Sequence, residues 1–286
     1  MRSLERNRNY HSEQTELSIV KKVMKNAMIF AAGLGTRLKP YTDHCPKAMV
    51  EVAGHPMIAH QLMKLREAGF SRVVINVHHY AEQIIDYVNA NNGFGLDVVF
   101  SDERGQLLDT GGGIRKALPL FTPDSPVLIH NVDIFSNADL AALYENHVDD
   151  GSDSSLLVSE RTTSRYFIFD NEDHLVGWKN LQTGEVRTSY DGLRTALEHL
   201  TEDDDQYRLR AFSGIHIISP NLFPLLEKQG EVFSITNFYW QNSLRQRIRC
   251  VEAPKDFQWV DAGKPEALKR AEEIVGSGEW KDESGK

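Results

Sequence analysis

The sequence predicts an α/β fold: a mostly parallel central sheet flanked by helices, with additional antiparallel strands in the second half. Three observations carry this. From Ala27 to about Val148, short apolar runs alternate with amphipathic helical stretches, the pattern of a parallel sheet covered on both faces. After that, apolar runs follow one another with only turn clusters between them, which is the antiparallel pattern. With 286 residues, 41% of them apolar, the chain can bury the core of one large domain or two small ones.

The elements follow in order. Ala27-Met28-Ile29-Phe30-Ala31 reads as a buried strand, His55 to Phe70 as an amphipathic helix, and Val73-Val74-Ile75-Asn76-Val77 as the next strand. A helix over Ala81 to Asn91, a strand at Leu96-Asp97-Val98-Val99-Phe100, a helix after Gly113 and a strand at Val127-Leu128-Ile129-His130 continue the alternation. A helix from about Asp139 to Val148 closes the first half. In the second half, Leu156 to Val158, Tyr166 to Phe169, Leu175 to Trp178 and Phe212 to Ile218 read as strands, with Asp170-Asn171-Glu172-Asp173 as a hairpin turn. The last helix spans Pro265 to about Val275. There are no repeats and no low-complexity tract.

Composition excludes several functions. A net charge of -9 argues against nucleic acid or an anionic membrane as the main partner. Cys45 and Cys250 stand apart with no metal-ligand spacing, which fits a reducing compartment. No apolar run is long enough to span a bilayer. Leu17-Ser18-Ile19-Val20 is too short for a signal peptide, so the expected location is cytoplasmic, with Met24 as an alternative start.

The first strand runs into Ala31-Ala32-Gly33-Leu34-Gly35-Thr36-Arg37. Ligands of open α/β sheets bind beyond the carboxyl ends of strands, where glycines let backbone N–H groups surround phosphate oxygens. Arg37 adds a permanently charged fork. A structural turn is the alternative reading of the loop. The dinucleotide fingerprint fails because Leu38 stands where its third glycine belongs and no acidic residue ends the second strand. The P-loop pattern fails for want of a closing Gly-Lys-Ser/Thr. Ten residues beyond Arg37, Pro46-Lys47 places an ammonium where it can fold back over the loop.

The run from Ala31 to Val50, AAGLGTRLKPYTDHCPKAMV, resembles the signature of the sugar-1-phosphate nucleotidyltransferases. Asp109-Thr110-Gly111-Gly112-Gly113-Ile114, His130-Asn131-Val132-Asp133 and Phe212-Ser213-Gly214-Ile215 are similar to members acting on N-acetylmuramate 1-phosphate, and mannose-1-phosphate guanylyltransferases share much of the pattern. The similarity extends from about Lys25 to Ala271. It implies a Rossmann-like nucleotidyltransferase fold in one catalytic domain (25–276); the polar extension before it (1–24) has no counterpart in the family, and a polar tail follows (277–286). It also implies a Mg²⁺-dependent reaction of a nucleoside triphosphate with a sugar 1-phosphate that releases pyrophosphate, by a chain free to form a homo-oligomer.

Carried over position by position, Ala31, Ala32, Gly33, Gly35, Thr36, Arg37 and the Thr110-Gly111-Gly112 turn would hold the nucleotide. Lys47, Asn131 and Gly214 would hold the sugar phosphate, with Arg37, Lys47 and Asp133 as the catalytic set. Asp133 and Asp261 would bind Mg²⁺, a hard cation that takes one or two carboxylates and completes its shell with phosphate oxygens and water. Two departures stand out: Val132 replaces the glycine usual before the metal aspartate, and the Glu-Lys-Pro segment that meets the sugar phosphate is missing. Trp178-Lys179-Asn180 falls near it, making Lys179 a candidate. The substrate pairs left open are UTP with N-acetylmuramate 1-phosphate and GTP with a mannose- or heptose-type 1-phosphate. A non-catalytic nucleotide-sugar-binding regulatory subunit and a dinucleotide oxidoreductase are the readings from other classes.

Elsewhere the plainer readings hold. Adjacent residues on an extended chain point to opposite faces, so His78-His79 is not expected to ligate a metal. Phe238, Tyr239 and Trp240 read as core, Ser213-Gly214 equally as a bulge or a sugar contact, and the acidic run Glu202-Asp203-Asp204-Asp205 as a solvated loop.

Overall fold

A computed structural model describes residues 24–201 and 204–277. The polar extension with Leu17-Ser18-Ile19-Val20, residues Glu202 and Asp203 of the acidic run, and the tail from residue 278 lie outside the described residues.

The first half builds β1 (Asn26–Phe30), a small hairpin of β2 (Glu51–Val52) and β3 (His55–Pro56), α1 (Met57–Glu67), β4 (Arg72–Val77), α2 (Ala81–Ala90), β5 (Asp97–Asp102), α3 (Asp109–Ala117), β6 (Val127–Asn131), β7 (Ile134–Ser136) and α4 (Leu140–Asp150). Asp139 caps α4, its carboxylate accepting from the Ala142 amide at 2.9 Å. The second half adds β8 (Ser154–Ser159), β9 (Arg165–Asp170), β10 (Leu175–Asn180), β11 (Val186–Arg187), α5 (Arg194–Glu198), β12 (Tyr207–Ile218), α6 (Phe223–Glu227), α7 (Ile235–Asn242), β13 (Ile248–Glu252), β14 (Trp259–Asp261) and α8 (Pro265–Ser277).

β1 lies between β4 and β6, parallel to both, and β5 extends the parallel set beyond β4. The chain thus leaves β1 on one side and returns on the other. β12 joins antiparallel to β6 through Ile215–Ile218, its first residues pair with β9, and β9, β10 and β11 form a meander. β8 pairs with β12, and β13 adds parallel to β8.

Successive strand residues alternate between faces, and each face is covered. Ala27 and Ile29 pack in one core with apolar residues of α1, α2, α4 and α8. Met28 packs in the other with residues of α3, α6 and α7. A third, smaller core holds Ile168, Val176, Val186, Leu197 and Leu200. The fold is therefore the mixed α/β architecture the sequence predicts. One element starts early: the helix expected after Gly113 begins at Asp109. The glycines inside its first turn answer to tertiary packing, since a side chain on Gly111 would strike the Phe233 ring and one on Gly112 the Glu231 carbonyl.

Candidate functional site

β1 is the point at which strand order reverses, so the loops after β1 and β6 diverge and leave a crevice at their carboxyl ends. The loop after β1 is anchored from beneath. Asn76, the polar residue in an otherwise buried apolar run on β4, accepts from the Ala31 amide at 2.7 Å and the Ala32 amide at 3.3 Å. Its Nδ2 donates to Glu103 at 2.8 Å, and burial pushes the Glu103 carboxyl above its usual range.

Gly33, Thr36 and Arg37 lie exposed on top of this anchor. Gly35 turns the loop with φ of 65°, a left-handed conformation that favours glycine. A Cβ there would also lie 2.9 Å from Thr42 Cγ2 and 3.1 Å from Lys47 Cβ. Lys47 follows Pro46 and is fixed by a 3-10 turn, Lys47–Met49. Its ammonium pairs with the Asp133 carboxylate.

Asp133 follows β6 and is buried. The β7–β14 ladder sets Asp261 opposite Ile134, and the Ala262 amide donates to the Asp133 carbonyl at 2.8 Å. Gly263 shows how tightly this part of the site converges. A Cβ on it would lie 2.6 Å from Asp261 Oδ1, 2.9 Å from Arg37 Nη2 and 3.0 Å from Asp133 Oδ2.

The two carboxyls share this space unequally. Burial pushes Asp133 upward, Lys47 pulls against it, and Asp261 raises it further. Burial also acts upward on Asp261. The hydrogen bond with Asp133, the Gly263 amide and the charges of Lys47 and Arg37 outweigh that and hold it below its usual value. In chemical terms, two carboxylate oxygens and two cations meet where one loop, one strand end and one distant ladder come together.

On the far side of Asp133 lies Asn131, whose Nδ2 would be 2.8 Å from a Cβ on Gly214. Gly214 has φ of 80° and sits at the register shift between β12 and β8, so the bulge expected at Ser213-Gly214 is present and also abuts Asn131. Trp259 Nε1 donates to the Ser213 carbonyl at 2.8 Å and braces the bulge.

Lys179 does not join these residues. Its ammonium donates to the carbonyls of Leu197 at 3.0 Å, Glu198 at 2.9 Å and Leu200 at 3.1 Å. An ammonium has three donors, and all three are spent on the end of α5, so the expected sugar-phosphate contact is withdrawn. The Thr110-Gly111-Gly112 turn is the first turn of α3. The amides of Gly111 and Gly112 donate to the Phe233 carbonyl at 2.8 and 3.2 Å, and Thr110 Oγ1 accepts from Ile235. These glycines answer to packing, and their N–H groups are already paired.

The plainer readings stand where they are described. His78 Nδ1 bonds the Glu103 carbonyl at 2.7 Å and His79 lies against Tyr80. Phe238 and Tyr239 are buried in the core, whereas Trp240 is only half-buried and donates its Nε1–H to Asn237 at 3.3 Å, outside the core clusters. Asp204 accepts from the Gln206 and Tyr207 amides as an ordinary turn residue.

Sequence reading missed Asn76, Glu103, Gly263 and Trp259. Asn76 alone left a signal, a lone amide inside Val73–Val77. The others act through contacts across the fold.

Among the described residues no group of three or more His, Cys, Asp or Glu could hold a metal. The convergent pair Asp133 and Asp261 nevertheless suits Mg²⁺, which keeps waters and binds through one or two carboxylates plus substrate phosphates. Among the described residues, no helix is long and apolar enough to cross a membrane.

The glycine-rich loop and the paired carboxylates lie at the switch point of a parallel sheet, the place where such folds take their ligands, and comparison with known proteins gives the class. Residues 26–173 match the nucleotidyl transferase family, and the chain belongs to it. An N-acetylmuramate alpha-1-phosphate uridylyltransferase of Caulobacter vibrioides is 33% identical over 254 residues, 87% of this chain and 96% of the relative. One from Neisseria meningitidis serogroup B is 30% identical over 257 residues, 89% and 99% of the two chains. The fold matches a putative glucose-1-phosphate thymidylyltransferase from Bacillus anthracis with a TM-score of 0.70 at 16% identity, covering 90% and 98% of the two chains. It also matches HddC from Yersinia pseudotuberculosis, complexed with GMP-PN, with a TM-score of 0.65 at 22% identity, covering 88% and 100%. The particular protein is a sugar-1-phosphate nucleotidyltransferase, an enzyme of nucleotide-sugar synthesis.

Proposed function

We propose that the enzyme joins UTP to N-acetylmuramate 1-phosphate, releasing pyrophosphate. The full-length similarity to two uridylyltransferases acting on that sugar supports the substrate pair. The observation that carries the chemistry is the convergence of Asp133, Asp261 and Arg37 on Gly263, with Lys47 on Asp133.

An oxygen of the sugar phosphate attacks the α-phosphorus of the triphosphate, and the bond to the bridging oxygen of the β-phosphate breaks. Three anionic groups must come together in line, so catalysis consists of alignment and charge neutralisation. Arg37 and Lys47 supply fixed positive charge. The sugar phosphate is already ionised near neutral pH, so neither a protein nucleophile nor a general base is required. Asp133 and Asp261 hold Mg²⁺, which when bound neutralises phosphate charge. The loop from Ala31 to Arg37 takes the nucleotide, while Asn131 and Gly214 take the sugar.

Pyrophosphate release, measured with Mg²⁺ across four triphosphates and a panel of sugar 1-phosphates, tests this reading. The highest kcat/KM is expected for UTP with N-acetylmuramate 1-phosphate. Faster turnover of GTP with a mannose- or heptose-type 1-phosphate would replace the pair. Silence in every combination with nucleotide binding intact would favour a regulatory subunit.

A further inference from the structure

A cavity of about 1030 Å³ opens beside the carboxylate pair, bordered by Arg37, Arg161, Arg208, Arg210, Trp259 and Asp261 among others. These four arginines differ in how their charge is met, while Arg270 lies exposed on the rim. Arg37 has Asp261 at 3.7 Å, Arg208 has Asp173 and Glu252, and Arg210 has Glu252 at 2.6 Å and Glu160 at 3.1 Å. Arg161 is half-buried, and no carboxylate among the described residues lies within ion-pair distance of it. Two contacts hold it still: Nη2 donates to the Phe212 carbonyl at 2.7 Å, and the guanidinium lies 3.9 Å from the Trp259 ring centre. Its Nε is buried without a hydrogen-bond partner. Burial lowers the Arg161 pKa, and Asp261 acts on it in the opposite direction.

A guanidinium stays charged in a protein. Removing it from water without a counter-ion costs free energy that an incoming anion offsets. Its position favours one anion over another. Arg37 and Lys47, the cations proposed to meet the phosphates, come from the loop after β1 and its continuation. Arg161 comes from the segment after β8. It is tied through Phe212 to the bulge whose Gly214 abuts Asn131, on the sugar side. Stacking on Trp259 fixes the plane of the fork, and a planar fork matches a planar carboxylate.

We propose that Arg161 is the specificity-determining residue that reads a carboxylate on the sugar, the 3-O-lactyl acid of N-acetylmuramate 1-phosphate, and not the phosphate common to all sugar 1-phosphates. The inference rests on the substrate reading above.

N-acetylglucosamine 1-phosphate is the same sugar with a hydroxyl in place of the lactyl ether, so the two substrates isolate the carboxylate. The experiment measures kcat and KM for both, with UTP, in the wild type, Arg161→Gln and Arg161→Lys, alongside a thermal melt of each protein. Loss of one charge-assisted contact predicts that Arg161→Gln raises KM for N-acetylmuramate 1-phosphate about ten-fold or more. Its kcat stays within a few-fold, and turnover of N-acetylglucosamine 1-phosphate, however slow, is unchanged. Arg161→Lys keeps the charge and falls between. Equal losses on both sugars would overturn the proposal, showing Arg161 to be a clamp on Phe212 or a phosphate contact, as would no loss on either. A wild type inactive on N-acetylmuramate 1-phosphate would instead overturn the substrate reading itself, and the role of Arg161 with it.

Discussion

The parallel half of the sheet and the antiparallel half treat a largely enclosed lysine side chain in opposite ways. In the parallel half Lys47 leaves a short turn, reaches the strand-end crevice and pairs with Asp133, one member of a carboxylate pair. In the antiparallel half Lys179 stands on β10 and spends its ammonium on three backbone carbonyls at the end of α5, inside a small core of its own. Both are lysines in strand-rich surroundings with little exposure. What differs is the partner. A carboxylate can be shared with an incoming cation or yield its lysine to a phosphate, whereas helix-end carbonyls can do neither. The comparison teaches that a lysine already paired belongs to a site only when its partner is also free to meet the ligand.

The strongest way to break that comparison is to remove the counter-charge. Asp133→Asn is expected to lower turnover about a thousand-fold or more, since it takes away one fixed charge where alignment and neutralisation do the catalysis. Pyrophosphate release checks the loss, and an unchanged circular dichroism spectrum shows that the fold survives. Wild-type-like activity would refute the proposed metal role of Asp133.

The two lysines can then be exchanged for apolar residues of similar length. Lys47→Met is expected to cut kcat about a hundred-fold and to lower the melting temperature as well, since it leaves the buried Asp133 without its counter-charge. Lys179→Met is expected to keep activity within a few-fold and to lose roughly 2–4 kcal/mol of stability, because it leaves carbonyls unpaired in a buried place. Urea melts beside the activity assay separate the two patterns. If Lys179→Met instead lost turnover with its stability intact, the distinction would fail.

A smaller effect sharpens the picture of convergence. Gly263→Ala places a methyl group against Asp261, Arg37 and Asp133 and is expected to cost about ten- to a hundred-fold in kcat through misplacement alone. Assay and melt together read it, and an unaffected kcat would show that the three side chains need not keep their present spacing.

The smallest effect concerns the seam between the halves, where His130 on β6 and His216 on β12 lie on adjoining strands. Burial pushes both down to about 3 from 6.5, with Lys64 adding to the effect on His130 and His130 to that on His216. Both are therefore neutral in the folded protein. Below about pH 6.5 the unfolded chain takes up protons that the folded chain refuses, so stability is full above that pH and falls as pH drops toward 3. The slope approaches roughly 1.4 kcal/mol per pH unit for each histidine. Denaturant midpoints between pH 7 and 5 test it, and replacing His216 with glutamine should flatten the slope.

Periodicity carried most of the fold. The strands at Val73–Val77 and Val127–His130 and the helix over Ala81–Asn91 are legible because their burial is local and repeats with the period of the element. The same holds for part of the candidate site: the glycine loop, Asn131 and Asp133 come at the ends of strands legible in the sequence, while Lys47 lies in a turn well beyond β1 and is marked only by its spacing from the loop. The two halves of the chain part company beyond that. Gly111 and Gly112 look like a turn made for a ligand, yet they face Phe233 and Glu231, segments far away along the chain. Lys179 sits where a sugar-phosphate lysine is sought, and only α5, packed beneath it, shows that its donors are taken.

What the sequence by itself determined is the alternation of apolar runs, the glycine-rich loop after the first strand and the residue types the proposed chemistry needs, since these depend on neighbours close along the chain. Which of those residues meet was decided by tertiary structure alone. The β7–β14 pairing delivers Asp261 to Asp133 and places Gly263 among the charges, and the β12 bulge brings Gly214 to Asn131 and Arg161 to the edge of the cavity. The reason is physical: a carboxylate or guanidinium acquires its partner, its burial and hence its role from elements remote in sequence, and no local pattern encodes that meeting.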